Sequence, residues 1–360
     1  MNLRDSLDHP HAWTMEDQEG SVVISSRVRL ARNLADAAFP EWAGEEERVR
    51  VAERLQAPLR SLAVLKEPLF VLNESLTALE RYLLVERHWI SREHAARQRG
   101  SAIVLQPDAG IVIMVNEEDH LRMQALQPGL RLAEAWQAVD TVDTQLSEKV
   151  PYAFSPQLGY LTACPTNVGT AMRASVMMHL AGLALMEEIA PLIKGVTKIG
   201  LAVRGLWGEG TDAHGFLFQI SNQATLGDRE EDIVRNLEQI AREITGHEQN
   251  ARARLWRDRR AVLFDQVGRA AGILANAHIL TSREALDLLS TLRLGIDMGI
   301  LPGVERRVVH DLMLVTQPAH LQARAGRALE SAERDQARAA LVRETLGVAL
   351  RAAMRRRRKS

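Results

Sequence analysis

Ile111-Val-Ile-Met-Val115 runs straight into Asn116-Glu-Glu-Asp-His-Leu-Arg122. The apolar run reads as a buried strand. Glu117, Glu118 and Asp119 therefore begin where the sheet stops, at a place where a rigid element can aim them. The same acids would also serve as a solvated cap on a following helix, because carboxylates favour helix starts. The rest of the chain decides between these readings.

Working outward, residues 102–105 and 111–115 flank the turn Gln106-Pro-Asp-Ala-Gly110 and form a β-hairpin that ends in the acids. Residues 21–29 have strand character, with Val22, Ile24, Ser26 and Val28 on one face and Arg27 and Arg29 on the other. Two guanidinium groups spaced about 7 Å along one face can grip a polyphosphate; as solvated arginines they fit equally well. Residues 160–164 read as a strand that Pro165 breaks before a helix over 170–189. The only cysteine, Cys164, then lies at a strand end among polar turn residues, where a reactive thiol and an inert one are both compatible. Residues 199–203 form a strand leading to Arg204, a glycine-rich bend and Glu209, and 215–220 return after a turn over 211–215. The glycines do not match GxGxxG and sit between two strands, so a dinucleotide site does not fit.

Helical periodicity covers 45–62, with Val49, Ala52, Leu55 and Leu59 on one stripe. It recurs over 76–87, with Asn73-Glu-Ser75 as cap, then over 91–97 and 130–146. A further helix over 228–246 ends at Gly246. His120 reads as a local hydrogen-bonding residue, and Met172, Met177 and Met178 as core fillers. Beyond residue 247 strand signals stop, and 248–351 reads as a second, all-helical region. Residues 331–360 carry nine basic and three acidic side chains and end in a basic run over 355–359, which reads as a solvated tail.

Composition narrows the class. The chain has 360 residues, 46% hydrophobic and 25% charged, enough for one or two domains with a sizeable core. A net charge of -1 gives no global drive toward nucleic acid or membrane. There is no apolar run long enough to span a bilayer, and residues 1–20 lack the apolar core of a signal peptide. One cysteine cannot form an internal disulfide, so a reducing cytoplasm is expected. No GxxxxGK[ST] sequence occurs, so any nucleotide is held without a P-loop.

Collected, the expected strand ends carry arginines at 27, 29, 122, 173 and 204, carboxylates at 117, 118, 119 and 209, and the thiol at 164. Cationic forks suit a triphosphate with magnesium on its phosphates. Carboxylates suit a planar guanidinium, whose paired N–H groups they accept. A guanidinium becomes a nucleophile only when a base removes its proton during attack. An acid-lined pocket beside an arginine-lined one is the layout for phosphorylating such a group.

Four stretches, SSRVRLARN, NEEDHLR, CPTNVGTAMRASV and RGLWGEG, jointly resemble the guanidino (phosphagen) kinases, the family of creatine and arginine kinases. The resemblance covers roughly residues 20–246. It is closest to the bacterial protein-arginine kinase branch. The catalytic stretch starts near residue 25, without the separate helical N-domain of the metabolite kinases; 220–234 resembles that branch; and Arg334-Asp-Gln-Ala-Arg-Ala339 is similar to its RDxxRA motif. The resemblance implies an α+β fold, an antiparallel sheet flanked by helices, followed by an all-α C-terminal domain. Its domains would be an N-terminal segment (1–20), a catalytic domain (21–246), a helical domain (247–354) and a basic tail (355–360). It also implies roles: Glu118 as base, Glu209 as second carboxylate, Cys164 as a thiolate near the substrate nitrogens. Arg27, Arg29, Arg122, Arg173 and Arg204 would clamp ATP, with Mg2+ carried on its phosphates and no protein metal ligands. Arg334, Asp335 and Arg338 would bind phosphoarginine. Trp207 departs from the arginine that metabolite kinases carry there. Implied partners are proteins with exposed arginines, a zinc-binding (McsA-like) activator, a Clp ATPase/protease, a stress-response repressor and further copies of the chain, with no nucleic acid or membrane. A free-arginine kinase and a catalytically idle phosphoarginine-binding adaptor are the alternatives.

Overall fold

The computed structural model describes residues 22–106, 108, 110–205 and 214–357. Glu209, Trp207, the turn over 211–213 and residues 1–21 and 358–360 lie outside them. In chain order the strands are β1 (Val23–Arg32), β2 (Leu69–Leu72), β3 (Ala102–Gln106), β4 (Ile111–Val115), β5 (Leu121–Pro128), β6 (Phe154–Ser155), β7 (Gly159–Tyr160), β8 (Met172–His179), β9 (Leu201–Gly205) and β10 (Leu217–Asn222). β6 and β7 pair with each other; the other eight form one antiparallel sheet, ordered β2-β3-β4-β5-β1-β8-β10-β9. The helices are α1 (Glu45–Arg60), α2 (Ala78–Glu86), α3 (Arg92–Ala96), α4 (Leu132–Ser147), α5 (Ala181–Leu185), α6 (Ile189–Lys198), α7 (Glu230–Asp258), α8 (Arg260–Asn276), α9 (Ser282–Asp297), α10 (Arg306–Val315), α11 (Pro318–Ala325) and α12 (Ser331–Arg357). The α+β expectation holds: an antiparallel sheet flanked by helices, then a helical region.

The sheet is two-faced because side chains alternate along each strand. One face presents Val28 and Leu30 of β1, Met123 and Ala125 of β5, Ala174 and Val176 of β8 and Ile220 of β10, all buried in the main core. Helices α4 and α7 cover that face, with Val139, Val142, Val234 and Leu237 among the buried contacts. The opposite face is covered unevenly. A small core of Leu84, Trp89, Ile103, Leu105, Val112 and Met114 closes it over β3 and β4. Helices α8–α12 form a further core that takes in Ile24, Met177 and Leu217. Between these two covers lie the middle of β1 and its neighbours β5 and β8.

Several expectations need correction. The helix expected over 170–189 is strand β8 followed by α5 and α6. Its period of two is masked because Met177, on the polar face, is as apolar as its core-facing neighbours; pairing with β1 and β10 on both sides overrides methionine's helix preference. The strand expected over 160–164 shrinks to β7, and Cys164 precedes a single 3-10 turn, Pro165–Asn167. The acids do not cap a helix; they fill the turn between β4 and β5, and β5 carries no strand signal strong enough to be read alone. Thr77, not Asn73–Ser75, caps α2 in a capping box with Glu80. The helix expected to stop at Gly246 runs on to Asp258. Ile244, Ala251 and Leu255 stay buried along it, and that packing outweighs the roughly 1 kcal/mol cost of a mid-helix glycine.

The continuous α7 makes a buried knot with the sheet region. Glu248, fully buried, accepts the backbone N–H groups of Gly182 (2.8 Å) and Leu183 (2.9 Å) and pairs with Arg252 at 2.6 Å. Arg252 also donates to Asp297 of α9 at 3.1 Å. Removing one partner strands buried charge, so Glu248→Ala is expected to cost about 3–5 kcal/mol of unfolding free energy; a denaturant midpoint shift worth under about 1 kcal/mol would show the knot to be dispensable. A second expectation concerns acid. Burial pushes His94 and His120 down to about 4, and burial with Arg293 and Arg252 nearby pushes His179 well below the ordinary range. These imidazoles are neutral when folded but titrate near about 6.5 when unfolded. Stability is therefore fully present above that pH and falls as pH drops toward 4, by about 1.4 kcal/mol per unit for each histidine. Urea titrations between pH 7 and 4.5 measure it, and a flat profile would contradict it.

Candidate active site

The turn that carries the acids is shaped by Asn116. Its φ of 56° lies in the left-handed region, which asparagine tolerates better than most residues. Its amide donates to the backbone oxygens of Arg48 (2.8 Å) and Gly100 (2.6 Å), tying the turn to α1. Asn33 brackets the other side: it donates to Asp119 Oδ1 at 2.7 Å and accepts from the His120 backbone at 2.9 Å. His120 accepts from Leu34 N at Nδ1 (3.1 Å) and faces Ala38 O at Nε2 (3.1 Å), which assigns the proton to Nε2 and makes it a hydrogen-bonding residue.

The three acids differ in setting. Glu117 is buried; Ser91 donates to it at 2.6 Å, the Glu118 N–H at 2.8 Å, and Arg122 pairs with it at 2.6 Å. Burial alone would raise its pKa, but Arg122 and these hydrogen bonds together hold it below the ordinary range. Asp119 is also buried, and there desolvation wins, raising its pKa despite the Ala163 N–H (2.8 Å) and Asn33. Asp119 thus fastens the segment before Cys164 to the acidic turn. Glu118 is the exposed member: its side chain is 38% accessible and meets Arg122 Nη2 at 2.7 Å. It alone is both reachable and fixed.

The arginines converge on the open part of the sheet. Arg122, Arg173 and Arg204 each lie one residue from a strand end, as the sequence suggested, whereas Arg27 and Arg29 lie in the middle of β1. Arg29 of β1 stands directly opposite Arg173 of β8, and Ala31 opposite Arg122 of β5, so all three arginines share a face. Arg27 lies one pleat along and donates to Gln219 at 3.3 Å; Gln219 pairs in register with Arg204 of β9. Burial first, then Arg173 and Arg122, pushes Arg27 down to about 10. Arg29 is lowered by burial and by Arg27, Arg122 and Arg173; Arg173 by burial, Arg204 and Arg122. Arg122 goes the other way, since Glu117 and Glu118 together outweigh its burial.

Two cavities adjoin here. The larger, about 610 Å³, is lined by Glu117, Glu118, Ser91, Phe39 and Trp42 among others. The second, about 270 Å³, is lined by Cys164, Thr166, Arg173 and Arg204. Arg29, Glu118 and Arg122 belong to both. A smaller cleft farther along β1 is bounded by Ser25, Arg27, Leu126, Ser175 and Met177. Cys164 Sγ is 3.0 Å from Thr166 Oγ1. Of the sequence-selected residues, Glu118, Cys164 and the five arginines come together. Ser91, Asn33, Gln219 and Thr166 were not singled out. Ser91 was legible only as the start of the 91–97 helix, a role it keeps by accepting the His94 N–H at 3.0 Å.

Arg334, Asp335 and Arg338 lie apart from this site, on α12. Arg338 is 1% exposed. It donates to Thr316 O (2.9 Å), Leu280 O (2.7 Å), Asp335 (2.6 Å) and Ser282 Oγ (2.7 Å). Arg334 donates to Leu329 O at 2.6 Å.

Comparison with known proteins agrees with this geometry. Residues 50–251 match the family model of the ATP:guanido phosphotransferase C-terminal catalytic domain, and 260–357 that of the protein-arginine kinase McsB C-terminal domain. The protein-arginine kinases of Pelotomaculum thermopropionicum and Moorella thermoacetica are each 48% identical, over 95% and 91% of this chain and 98% and 95% of their own lengths. Among solved structures, the duplicated taurocyamine kinase from Schistosoma mansoni with bound transition state analog components is 26% identical, with a TM-score of 0.55 over 66% of this chain and 34% of that one. Lombricine kinase, at 24% identity and a TM-score of 0.57 over 70% and 71%, shares the fold. With the strand register, the acidic turn and both halves of the sequence in agreement, the chain belongs to the ATP:guanido phosphotransferase family and, within it, to the protein-arginine kinases.

Proposed function

We propose that this enzyme transfers the γ-phosphoryl group of ATP to arginine side chains of polypeptides. The observation that carries this is the pair of cavities sharing Glu118, Arg29 and Arg122. The triphosphate lies along Arg27, Arg29, Arg173 and Arg204, which share one face of the sheet. Magnesium, carried on the phosphate oxygens, would neutralise charge on the transferring group.

Arg122 links the two halves. It now occupies Glu118 as a substrate guanidinium would. Phosphate draws one edge of Arg122 while Glu117 keeps the other, and Glu118 turns to the incoming guanidinium. As the substrate nitrogen attacks the γ-phosphorus, its proton passes to Glu118, the N–P bond forms, the bond to the ADP oxygen breaks, and the arginines stabilise the equatorial charge. Cys164, which lines the same cavity as Arg173 and Arg204, contributes its sulfur beside the guanidinium. Glu209, outside the described residues, would supply the second carboxylate.

On α12, the buried Arg338 positions Asp335, and Asp335 with Arg334 is the proposed receptor for phosphoarginine. By the same family resemblance, the phosphorylated proteins would be handed to a Clp protease or be a stress repressor, with a zinc-binding activator as partner.

Mass spectrometry of an unfolded protein incubated with enzyme, Mg2+ and ATP, kept out of acid, should find phosphoarginine. Glu118→Gln should cut the rate about 10²–10⁴-fold while nucleotide binding persists; near-normal turnover would remove Glu118 from the mechanism. Peroxide should inactivate the enzyme reversibly by thiol, and Cys164→Ser should be slow and peroxide-insensitive; an unchanged peroxide response in that variant would place the lesion elsewhere.

A further inference from the structure

The larger cavity has a part that the transfer chemistry leaves without a role. Phe39 and Trp42 line it together with Glu117 and Glu118. Their rings stack with centroids 5.9 Å apart and planes 5° from parallel. Phe39 meets the His120 ring edge-on at 6.2 Å, and both nitrogens of His120 are held by the backbone of Leu34 and Ala38. Arg97 adds a second fastening: it donates to Glu117 O at 2.6 Å and to Glu41 at 2.7 Å. The segment carrying Trp42 is thus tied to the acidic turn from two sides. Trp42 itself is 80% exposed. A large aromatic side chain held rigidly in water can gain contact area on binding with little loss of its own freedom.

We propose that Trp42, backed by Phe39, is a shelf for the polypeptide on either side of the target arginine, and that it favours arginines with an aromatic or aliphatic neighbour. The inference rests on the reading that the cavity holding Glu118 receives the guanidinium. The occupant follows from continuity within one cavity. Glu117 is buried, Glu118 is half-covered, and Trp42 stands out at the mouth. An arginine side chain that delivers its guanidinium to Glu118 enters past Trp42 and leaves its own main chain there. Glu41 is paired with Arg97 at 2.7 Å, so the carboxylates there are partly neutralised and the shelf itself offers apolar surface. Free arginine has no flanking residues to lay on the shelf. The indole thus distinguishes a polypeptide from a metabolite without touching the reacting atoms, as a specificity determinant outside the catalytic set.

The test compares two peptides that differ only in the neighbours of one arginine, glycines in one and leucine with phenylalanine in the other. Wild-type enzyme should favour the apolar-flanked peptide in kcat/KM by roughly three- to tenfold, the size of one aromatic contact. Trp42→Ala should abolish that preference through KM, leaving KM for ATP in place, and Trp42→Phe should keep most of it. No preference in the wild type, a preference that survives Trp42→Ala, or a loss shared equally by both peptides would overturn the proposal. So would a change of oligomeric state in Trp42→Ala by light scattering, which would assign the ring to a second copy of the chain. Glu118→Gln serves as the control. If it stays active on both peptides, the reading of the cavity fails; if it is inactive while Trp42→Ala keeps the preference, only the shelf fails.

Discussion

Five arginines on one face of one sheet are the constraint around which the rest is arranged. Arg29 and Arg173 stand opposite each other across adjacent strands, and Arg27 and Arg122 are their neighbours. Like charges so placed repel, and burial makes each charge dearer. Both effects are visible in the lowered pKa values of Arg27, Arg29 and Arg173. The strands stay together because their other face is a continuous apolar core under α4 and α7. Glu117 and Glu118 neutralise Arg122, and Gln219 gives Arg27 a neutral acceptor. What remains is a surplus of positive charge over an open cavity. A polyanion binding there relieves repulsion that the fold already carries, so part of its binding energy is prepared in advance.

The acidic turn solves a related problem in positioning. A carboxylate that is both reachable and fixed is hard to obtain from an isolated side chain on a loop. Here the division falls between neighbours. Glu117 and Asp119 point inward and are consumed by Ser91, Arg122, Asn33 and the Ala163 backbone. They set the turn so that Glu118, between them, faces the cavity. His120 extends the same scaffold to the segment bearing Phe39 and Trp42. One short turn thus aligns Glu118, the Cys164 segment and the cavity mouth.

Much of this was legible in the sequence, for reasons specific to each element. The alternation in β1 put Arg27 and Arg29 on one face before any coordinates. The run from Ile111 to Val115 reads as a buried strand, and is one. β8 was misread, because Met177 interrupts the alternation of Arg173, Ser175 and His179 with Met172, Ala174, Val176 and Met178, and methionine and alanine favour a helix. β5 failed similarly, since Met123, Ala125 and Leu126 blur its two faces. Cys164 was identified by its rarity, but its setting in a loop before a 3-10 turn depends on the Asp119–Ala163 bond, which joins residues 44 positions apart. Gly246 misled because glycine is a local signal, whereas α7 is continued by tertiary burial at Ala251 and Leu255.

The helical region does more than follow the catalytic sheet. Gly215 marks where the chain returns from the segment containing Glu209. Its N–H donates to Asp287 of α9 at 2.7 Å, and its carbonyl accepts from Ser290 of the same helix. Its φ of 67° favours glycine, and an added Cβ would come within 3.0 Å of Leu286 Cγ. At the start of α9, Ser282 accepts from Arg338, the buried arginine of α12. One helix therefore touches the RDxxRA segment at its first turn and Gly215, just before the returning strand β10, at its middle. Contact alone is not coupling: a ligand at α12 alters catalysis only if it binds two arrangements of α9 with different affinity. Arg338 supplies the physical contact between α12 and α9: its donors are divided between α9, the end of α10, the segment before α9 and Asp335, so a shift of α12 would strain its bonds to the first three.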